Sequence, residues 1–149
     1  MARDTDTINI RNFQESDAPY LVEILQLNGQ YGSPEVEGVE AMKRVAACPS
    51  AIFLVASTRR RTYGGIRAIY DGSRACIHLL SVHPDRHGAG IGGALVDAVR
   101  RECRRRGAPS LSVTVTEHSA GFWEKHGFSR LPVFMMLQES IAKPEVHAE

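Results

Sequence analysis

The segment Ser81-Val82-His83-Pro84-Asp85-Arg86-His87-Gly88-Ala89-Gly90-Ile91-Gly92-Gly93-Ala94-Leu95 constrains this chain more than any other. It reads as the end of an apolar strand, a short turn, a glycine-rich loop and the first turn of a helix. Glycine lets a backbone turn left-handed and come close to a ligand. The unpaired N–H groups of a helix start, with the positive end of its dipole, favour an anion. The segment therefore implies a phosphate cradle, of the kind a nucleotide-containing cofactor uses.

Around that segment the chain reads as one mixed α/β domain spanning 1–149. Thr7–Arg11 alternates as a first strand. Ser16 or Asp17 can cap a helix running to about Leu27, which Asn28-Gly29 ends. Ser33 or Pro34 starts a second helix through Ala47, and Cys48-Pro49-Ser50 breaks it. Strands follow at Ala51–Ala56, Tyr63–Tyr70 and Ala75–Val82, the first and second joined at the tip Arg59-Arg60-Arg61. Gly92–Arg106 is the strongest helix, with Ile91, Leu95, Ala98, Val99 and Cys103 along one face and Gly107 and Pro109 beyond its end. Leu111–Val115 is a strand, Thr116 caps a short helix closed by Gly127, and Leu131–Leu137 is a last strand. Residues 1–6 and 141–149 are expected to fray.

Composition excludes more than it proposes. A net charge of +1 argues against a general binder of nucleic acid. Arg59–Arg61 and Arg104–Arg106 are either a hairpin tip and a solvated helix end, or contacts to an acidic cofactor or partner. Cys48, Cys76 and Cys103 are too widely spaced for a disulfide framework or a metal knuckle. His83, His87, His118 and His126 match no tight ligand set, so no metal is expected. Met1–Thr7 carries no apolar signal region, and no apolar run approaches the roughly 20 residues that span a bilayer. A cytoplasmic protein without a membrane partner is the expectation.

Gly88-x-Gly90-x-x-Gly93 formally matches the dinucleotide fingerprint, with Glu117 at a tolerable distance for a ribose-binding acid. That fingerprint follows its strand immediately in a doubly wound sheet, whereas five residues separate Val82 from Gly88 here. Three features resemble the GNAT N-acetyltransferase superfamily over nearly the whole chain. They are Ile8-x-Ile10-Arg11 with Asp17 before a helix, the stretch from Leu80-Ser81-Val82-His83-Pro84 to Gly93, and Ala120-x-Phe122-Trp123-Glu124-Lys125-His126-Gly127-Phe128. The family's cofactor loop, Gln/Arg-x-x-Gly-x-Gly/Ala, reads here His87-Gly88-Ala89-Gly90-Ile91-Gly92. His87 departs from the usual Gln or Arg, and Ala89 stands where many relatives are basic.

The resemblance implies a mostly antiparallel mixed sheet flanked by helices and splayed after its fourth strand. The pantetheine arm of acetyl-CoA then lies in the gap along Leu80, Ser81 and Val82, and the pyrophosphate on His87, Gly88, Ala89, Gly90, Ile91, Gly92 and Gly93. Thr116, Ser119, Phe122 and Trp123 complete the cofactor-binding set. The Val82 N–H would polarise the acetyl carbonyl. A base helps the attacking amine lose its proton, and simple alternation puts Cys76, His78, Leu80 and Val82 on one face. His78 is either that base or an ordinary strand residue; Glu117 and His118 are further candidates. Trp123 stands where relatives often carry an acidic Tyr, and an indole N–H cannot supply a proton.

The acceptor implied is a primary amine on a small molecule or peptide. By analogy with the family, Leu27–Ala47 walls its pocket. Tyr31, Glu35, Glu37 and Glu40 either make that wall acidic, which favours a cationic amine, or form a solvated helix face. The alternative function is a non-catalytic acyl-CoA-binding regulatory module on the same fold. A homodimer through the late strand is a further expectation, with Phe134, Met135 and Met136 as apolar surface.

Overall fold

Five strands carry the apolar alternation into one sheet: β1 (Asn9–Asn12), β2 (Ala51–Ser57), β3 (Thr62–Tyr70), β4 (Ala75–Val82) and β5 (Leu111–Val113). They lie in the order β1-β2-β3-β4-β5, and β1 to β4 pair antiparallel while β5 runs parallel to β4. The computed structural model describes residues 3–141. Their contacts divide in sequence after Val115 into two units, the sheet belonging wholly to the first. A sheet that is antiparallel over four of its five strands is not doubly wound, so the formal dinucleotide fingerprint lacks the setting it needs.

The helices of the first unit are α1 (Ala18–Leu27), α2 (Pro34–Glu37), α3 (Val39–Ala47) and α4 (Ile91–Arg106). Glycines report which helix covers which face of the sheet. A Cβ on Gly65 would lie 2.8 Å from Leu21 of α1, and one on Gly64 would lie 3.4 Å from Leu95 of α4. Leu21, Ile24 and Leu25 pack with Phe13, Phe53 and Val55 on the first face, the two phenyl rings stacked at 4.3 Å. Leu95, Val96 and Val99 of α4 are fully buried on the other. Burying each such side chain contributes roughly 1.5–3 kcal/mol.

Two local expectations change. The helix expected from Pro34 to Ala47 breaks at Gly38, whose backbone is extended. A Cβ there would sit 2.4 Å from the Pro34 carbonyl oxygen, so only glycine fits. In β4 the register steps from Arg67↔Leu79 to Ala68↔Ile77, which leaves His78 as the extra residue of a β-bulge. Paired residues share a face, so Leu80 and Val82 go with Ile66 and Gly64 toward α4, and Cys76 goes with Ile69 to the opposite face. Cys76, His78, Leu80 and Val82 therefore do not share one face, because the bulge breaks the period of two.

Asp17 is 2% exposed and stands one residue before α1. It does not cap that helix. Its carboxylate accepts both Arg11 Nη groups, each at 2.8 Å, the Gln14 N–H at 2.8 Å and the Thr62 hydroxyl. The basic clusters are likewise engaged: Arg59 with Asp6, Arg61 with Glu23, and Arg105 and Arg106 with Glu102. Asp4, in the segment expected to fray, accepts the Thr58 and Tyr63 hydroxyls at 2.7 and 2.8 Å. The Thr58 bond foremost holds its carboxyl at about 2.

The second unit holds a single turn at Glu117–Ser119 followed by α5 (Ala120–Lys125). Phe122, Trp123 and Phe128 pack edge to face, and Gly127 closes the helix with φ 95°. The strand expected at Leu131–Leu137 is not formed: a strand needs a ladder partner, and this unit has no other strand among the described residues. Phe134 and Met136 are 95% and 92% exposed. Of the ends expected to fray, Met1, Ala2 and residues 142–149 lie outside the described residues. No helix among the described residues is long and apolar enough to cross a membrane.

Replacing Asp17 tests the anchor. Asp17→Ala should cost about 3–5 kcal/mol of unfolding free energy, because it strands Arg11 and Thr62 without their partner. Burial pushes the Asp17 carboxyl up, but Arg11, Thr62 and the Gln14 N–H outweigh it and hold it below the usual carboxylate range. The associated stability is complete above the unfolded pKa and is lost as pH falls through the folded one. Asp17→Asn should therefore flatten the acid side of a stability–pH curve; an unchanged acid limb would refute the assignment.

Candidate functional site

The site begins where β4 ends. His83 N–H donates to the Tyr63 carbonyl at 2.7 Å, which makes 63/83 a hydrogen-bonded pair of the ladder. The neighbouring pair, Gly64/Val82, is then non-hydrogen-bonded, and the Val82 N–H and C=O point away from β3. On that side β5 pairs with β4 only over Ala75–Ile77. Beyond Ile77 the β4 edge is open within the sheet, so β4 and β5 form a fork.

A single turn at Pro84–Arg86 leads from the fork to α4. His83 Nδ1 accepts the Asp85 N–H at 3.1 Å and so caps that turn. His87 Nε2 lies 2.7 Å from the Val82 carbonyl and ties the loop back to the strand. Gly88 and Gly90 are left-handed, at φ 80° and 84°. The first bond into the helix is Ala94 N–H to Gly90 C=O at 3.0 Å. Gly88, Gly90, Ile91, Gly92 and Gly93 thus present backbone N–H groups that donate to no described group. Free N–H groups at a helix start are donors of the kind an anion accepts from, and His87 Nε2 is turned toward the strand.

Asn28, read only as part of a helix stop, and its neighbour Gln30 brace the open edge. Asn28 Nδ2 donates to Ser81 Oγ and to the Val82 carbonyl, both at 2.8 Å. Gln30 Nε2 donates to the Leu80 carbonyl at 3.1 Å, and Ser81 Oγ donates to Gln30 Oε1 at 2.6 Å. Ser81 is 4% exposed, so this knot is the local alternative to water. Asn28-Gly29-Gln30 carries a turn signal but no signal of a partner some fifty residues away, so sequence reasoning missed both amides.

The first unit brings His78, Leu80, Ser81, Val82, His87 and Gly88–Gly93 together on one strand, loop and helix start. His78 is exposed in the bulge. Partial burial, then the charge of Arg67, pushes its imidazole below the ordinary histidine range. Arg67 is a further residue the sequence did not flag. Thr116, Glu117, Ser119, Phe122 and Trp123 belong to the second unit. There Ser119 bonds back to the Thr116 carbonyl, Glu117 and His118 are exposed, and Trp123 is buried between the Phe122 and Phe128 rings.

Two of the acids of the 27–47 segment are engaged locally: Glu37 accepts the Ser33 N–H at 2.9 Å and Glu40 pairs with Lys43, while Glu35 is exposed. No cluster of metal-ligating side chains occurs among the described residues. A cavity of about 570 Å³, lined by Phe13, Cys48, Phe53, Arg105 and Arg106 among others, lies at the far end of α4 from the glycine loop.

Residues 49–130 match the family model described as the acetyltransferase (GNAT) domain. The chain is 28% identical to an acetyltransferase of Yersinia enterocolitica over 144 residues, covering 93% of this chain and 99% of that one. Its fold is similar to the PaiA N-acetyltransferase of Thermoplasma acidophilum, solved in complex with coenzyme A, at TM-score 0.76 and 18% identity over 86% of this chain and 93% of that one. It is similar too to a transcriptional regulator from Bacillus halodurans, at TM-score 0.75 and 23% identity over 89% and 99%.

Ser81→Ala removes the hub of the knot and should lower the unfolding free energy by about 1 kcal/mol. Urea denaturation measures it, and unchanged stability would mean the knot does not hold the edge.

Proposed function

This chain belongs to the GNAT acetyltransferase family, and on that footing we propose that it transfers an acetyl group from acetyl-CoA directly to a primary amine of a small molecule or peptide. The observation that carries the reading is the row of unengaged N–H groups on Gly88, Gly90 and Ile91–Gly93 beside the open edge of β4. Such a row fits a pyrophosphate, and the edge fits the amide-bearing pantetheine arm, which can pair with it as a strand would.

Acetyl-CoA supplies the activated acyl group as a thioester. The chain's own residues do the rest. The loop amides hold the pyrophosphate and set the depth of the arm. The Val82 N–H, which points away from β3, donates to the acetyl carbonyl oxygen as negative charge builds on it. His78, with its pKa pushed down, is a neutral imidazole at working pH and takes the proton from the attacking amine. Glu117 is the second candidate for that proton. Thr116, Ser119, Phe122 and Trp123 are assigned to the cofactor arm, with Trp123 contributing contact rather than a proton. A cytoplasmic setting accords with free Cys48, Cys76 and Cys103. A homodimer through the exposed run around Phe134, Met135 and Met136 accords with its apolar surface.

Trp123 also favours a second reading, a non-catalytic acyl-CoA-binding regulatory module, since it occupies the position of the usual acid. Thiol release across an amine panel separates the two: binding without release supports the module.

Calorimetric titration with acetyl-CoA, with NAD as control, tests the cofactor. Saturable acetyl-CoA binding is expected, and Gly90→Val should abolish it. A branched residue at φ 84° costs about 1–3 kcal/mol of backbone strain and displaces the cradle. Normal affinity in that variant would refute the loop assignment. His78→Ala should lower kcat while sparing acetyl-CoA affinity, and should remove a pH–rate inflection lying below the usual imidazole value. An unchanged profile would eliminate His78 as the base.

A further inference from the structure

Arg67 differs from three other arginines on or beside the sheet. Arg11, Arg61 and Arg106 each hold a carboxylate within 3.0 Å, at Asp17, Glu23 and Glu102. Arg67, half-buried on β3, forms no ion pair among the described residues. Its Nη1 donates to the Val36 carbonyl of α2 at 3.0 Å, and its guanidinium carbon lies 5.8 Å from the centre of the Phe53 ring. Its Nε is buried, and among the described residues neither Nε nor Nη2 has a hydrogen-bond partner. Burial disfavours its charge, and the one carboxylate that acts back on it is Glu37, already engaged with the Ser33 N–H.

A guanidinium kept in this state lowers stability, because its desolvation is uncompensated. A fold that only needed to fill the space could use an apolar side chain. The position explains the exception. Arg67 pairs with Leu79, immediately beside the bulge that carries His78, and its charge reaches the imidazole. The group proposed to receive the amine's proton therefore has a cation next to it, while Glu37 and Glu40 are engaged with Ser33 and Lys43. A cation at this point repels an ammonium-only acceptor and attracts an oxyanion on the same molecule as the amine.

We propose that Arg67 binds a carboxylate of the acceptor through Nη2, so that the acceptor is amino-acid-like, with an amine and a carboxylate on one small molecule. The proposal rests on the acetyltransferase reading above. It replaces the cationic acceptor that Glu35, Glu37 and Glu40 suggest from sequence. Arg67 sets specificity and orients the amine toward His78; it takes no part in proton transfer.

The test measures thiol release at saturating acetyl-CoA with amino acids, each matched to its carboxamide and its decarboxylated amine. The carboxylate form should be favoured by roughly tenfold to a hundredfold in kcat/KM, the range of a charge-assisted hydrogen bond. Arg67→Gln should bring the three forms close to parity by raising KM for the carboxylate. Arg67→Lys should recover part of the preference, since a point charge replaces the planar fork.

An NMR titration of His78 gives a readout independent of turnover. Arg67→Gln should raise the imidazole pKa, and so should a saturating N-acetylated amino acid in the wild-type protein, as its carboxylate offsets the guanidinium. A preference for the decarboxylated amine overturns the proposal in favour of a cationic acceptor. So does equal loss on all three forms in Arg67→Gln. If acetyl-CoA binds but no amine releases thiol, the acetyltransferase reading fails. Arg67 is then judged by the titration with amino acids alone, and an unmoved His78 overturns it.

Discussion

Taking a carboxylate out of water is unfavourable unless every lone pair finds a donor, and Asp17 turns that demand into a construction point. Its donors come from three places: the Arg11 guanidinium on β1, the Gln14 N–H in the turn, and the Thr62 hydroxyl at the start of β3. Satisfying them together fixes the edge strand, the entry to α1 and the middle of the sheet against one another. Since α1 starts at Ala18, its direction across the sheet follows. Ten helical residues advance about 15 Å. That length delivers Asn28 and Gln30 to the far side of the sheet, where they brace β4.

The site depends on β4 being partnered along only part of its length. β5 pairs with its first three residues and stops, so the rest of that edge offers peptide groups that no strand of the sheet uses. The bulge at His78 falls at the point where pairing with β5 ends, and it reverses the faces of everything after it. Together they set an unpaired edge, a histidine outside the regular alternation and a left-handed glycine loop within a few residues of each other. Arg67 adds a half-buried guanidinium that forms no ion pair among the described residues, with Glu37 the one carboxylate acting on it.

Much of this was legible in the residues. The glycine loop and the α4 stripe predict a strand, a left-handed turn and a helix at the places where they occur, because φ > 0 and a period of 3.6 are local requirements that few residues meet. Gly107 and Gly127 end their helices in the left-handed conformation, as such positions ask. The break at Gly38 was not legible. Val36, Val39, Met42 and Val45 keep a helical spacing across it, and the clash with the Pro34 carbonyl appears only once the turn is built. The bulge was not legible either. Ala75–Val82 alternates well enough as a plain strand, and the extra residue is visible only against the partner register.

By itself, then, the sequence determined the properties that each residue carries into any fold. These include the left-handed freedom of Gly88 and Gly90, the apolar faces of α1 and α4, and the donors of the loop that implied an anion. Tertiary structure decided what depends on a partner distant in the chain. It gave Asp17 its Arg11 and Thr62, set Asn28 and Gln30 against β4, and left Arg67 with no ion pair among the described residues. It also withheld a ladder partner from Leu131–Leu137, whose strand-like composition yields no strand. The physical reason is the range of the forces. Steric preference and periodicity act over a few residues and can be read in order along the chain. Hydrogen bonds, ion pairs and strand ladders are settled between segments that only folding brings together.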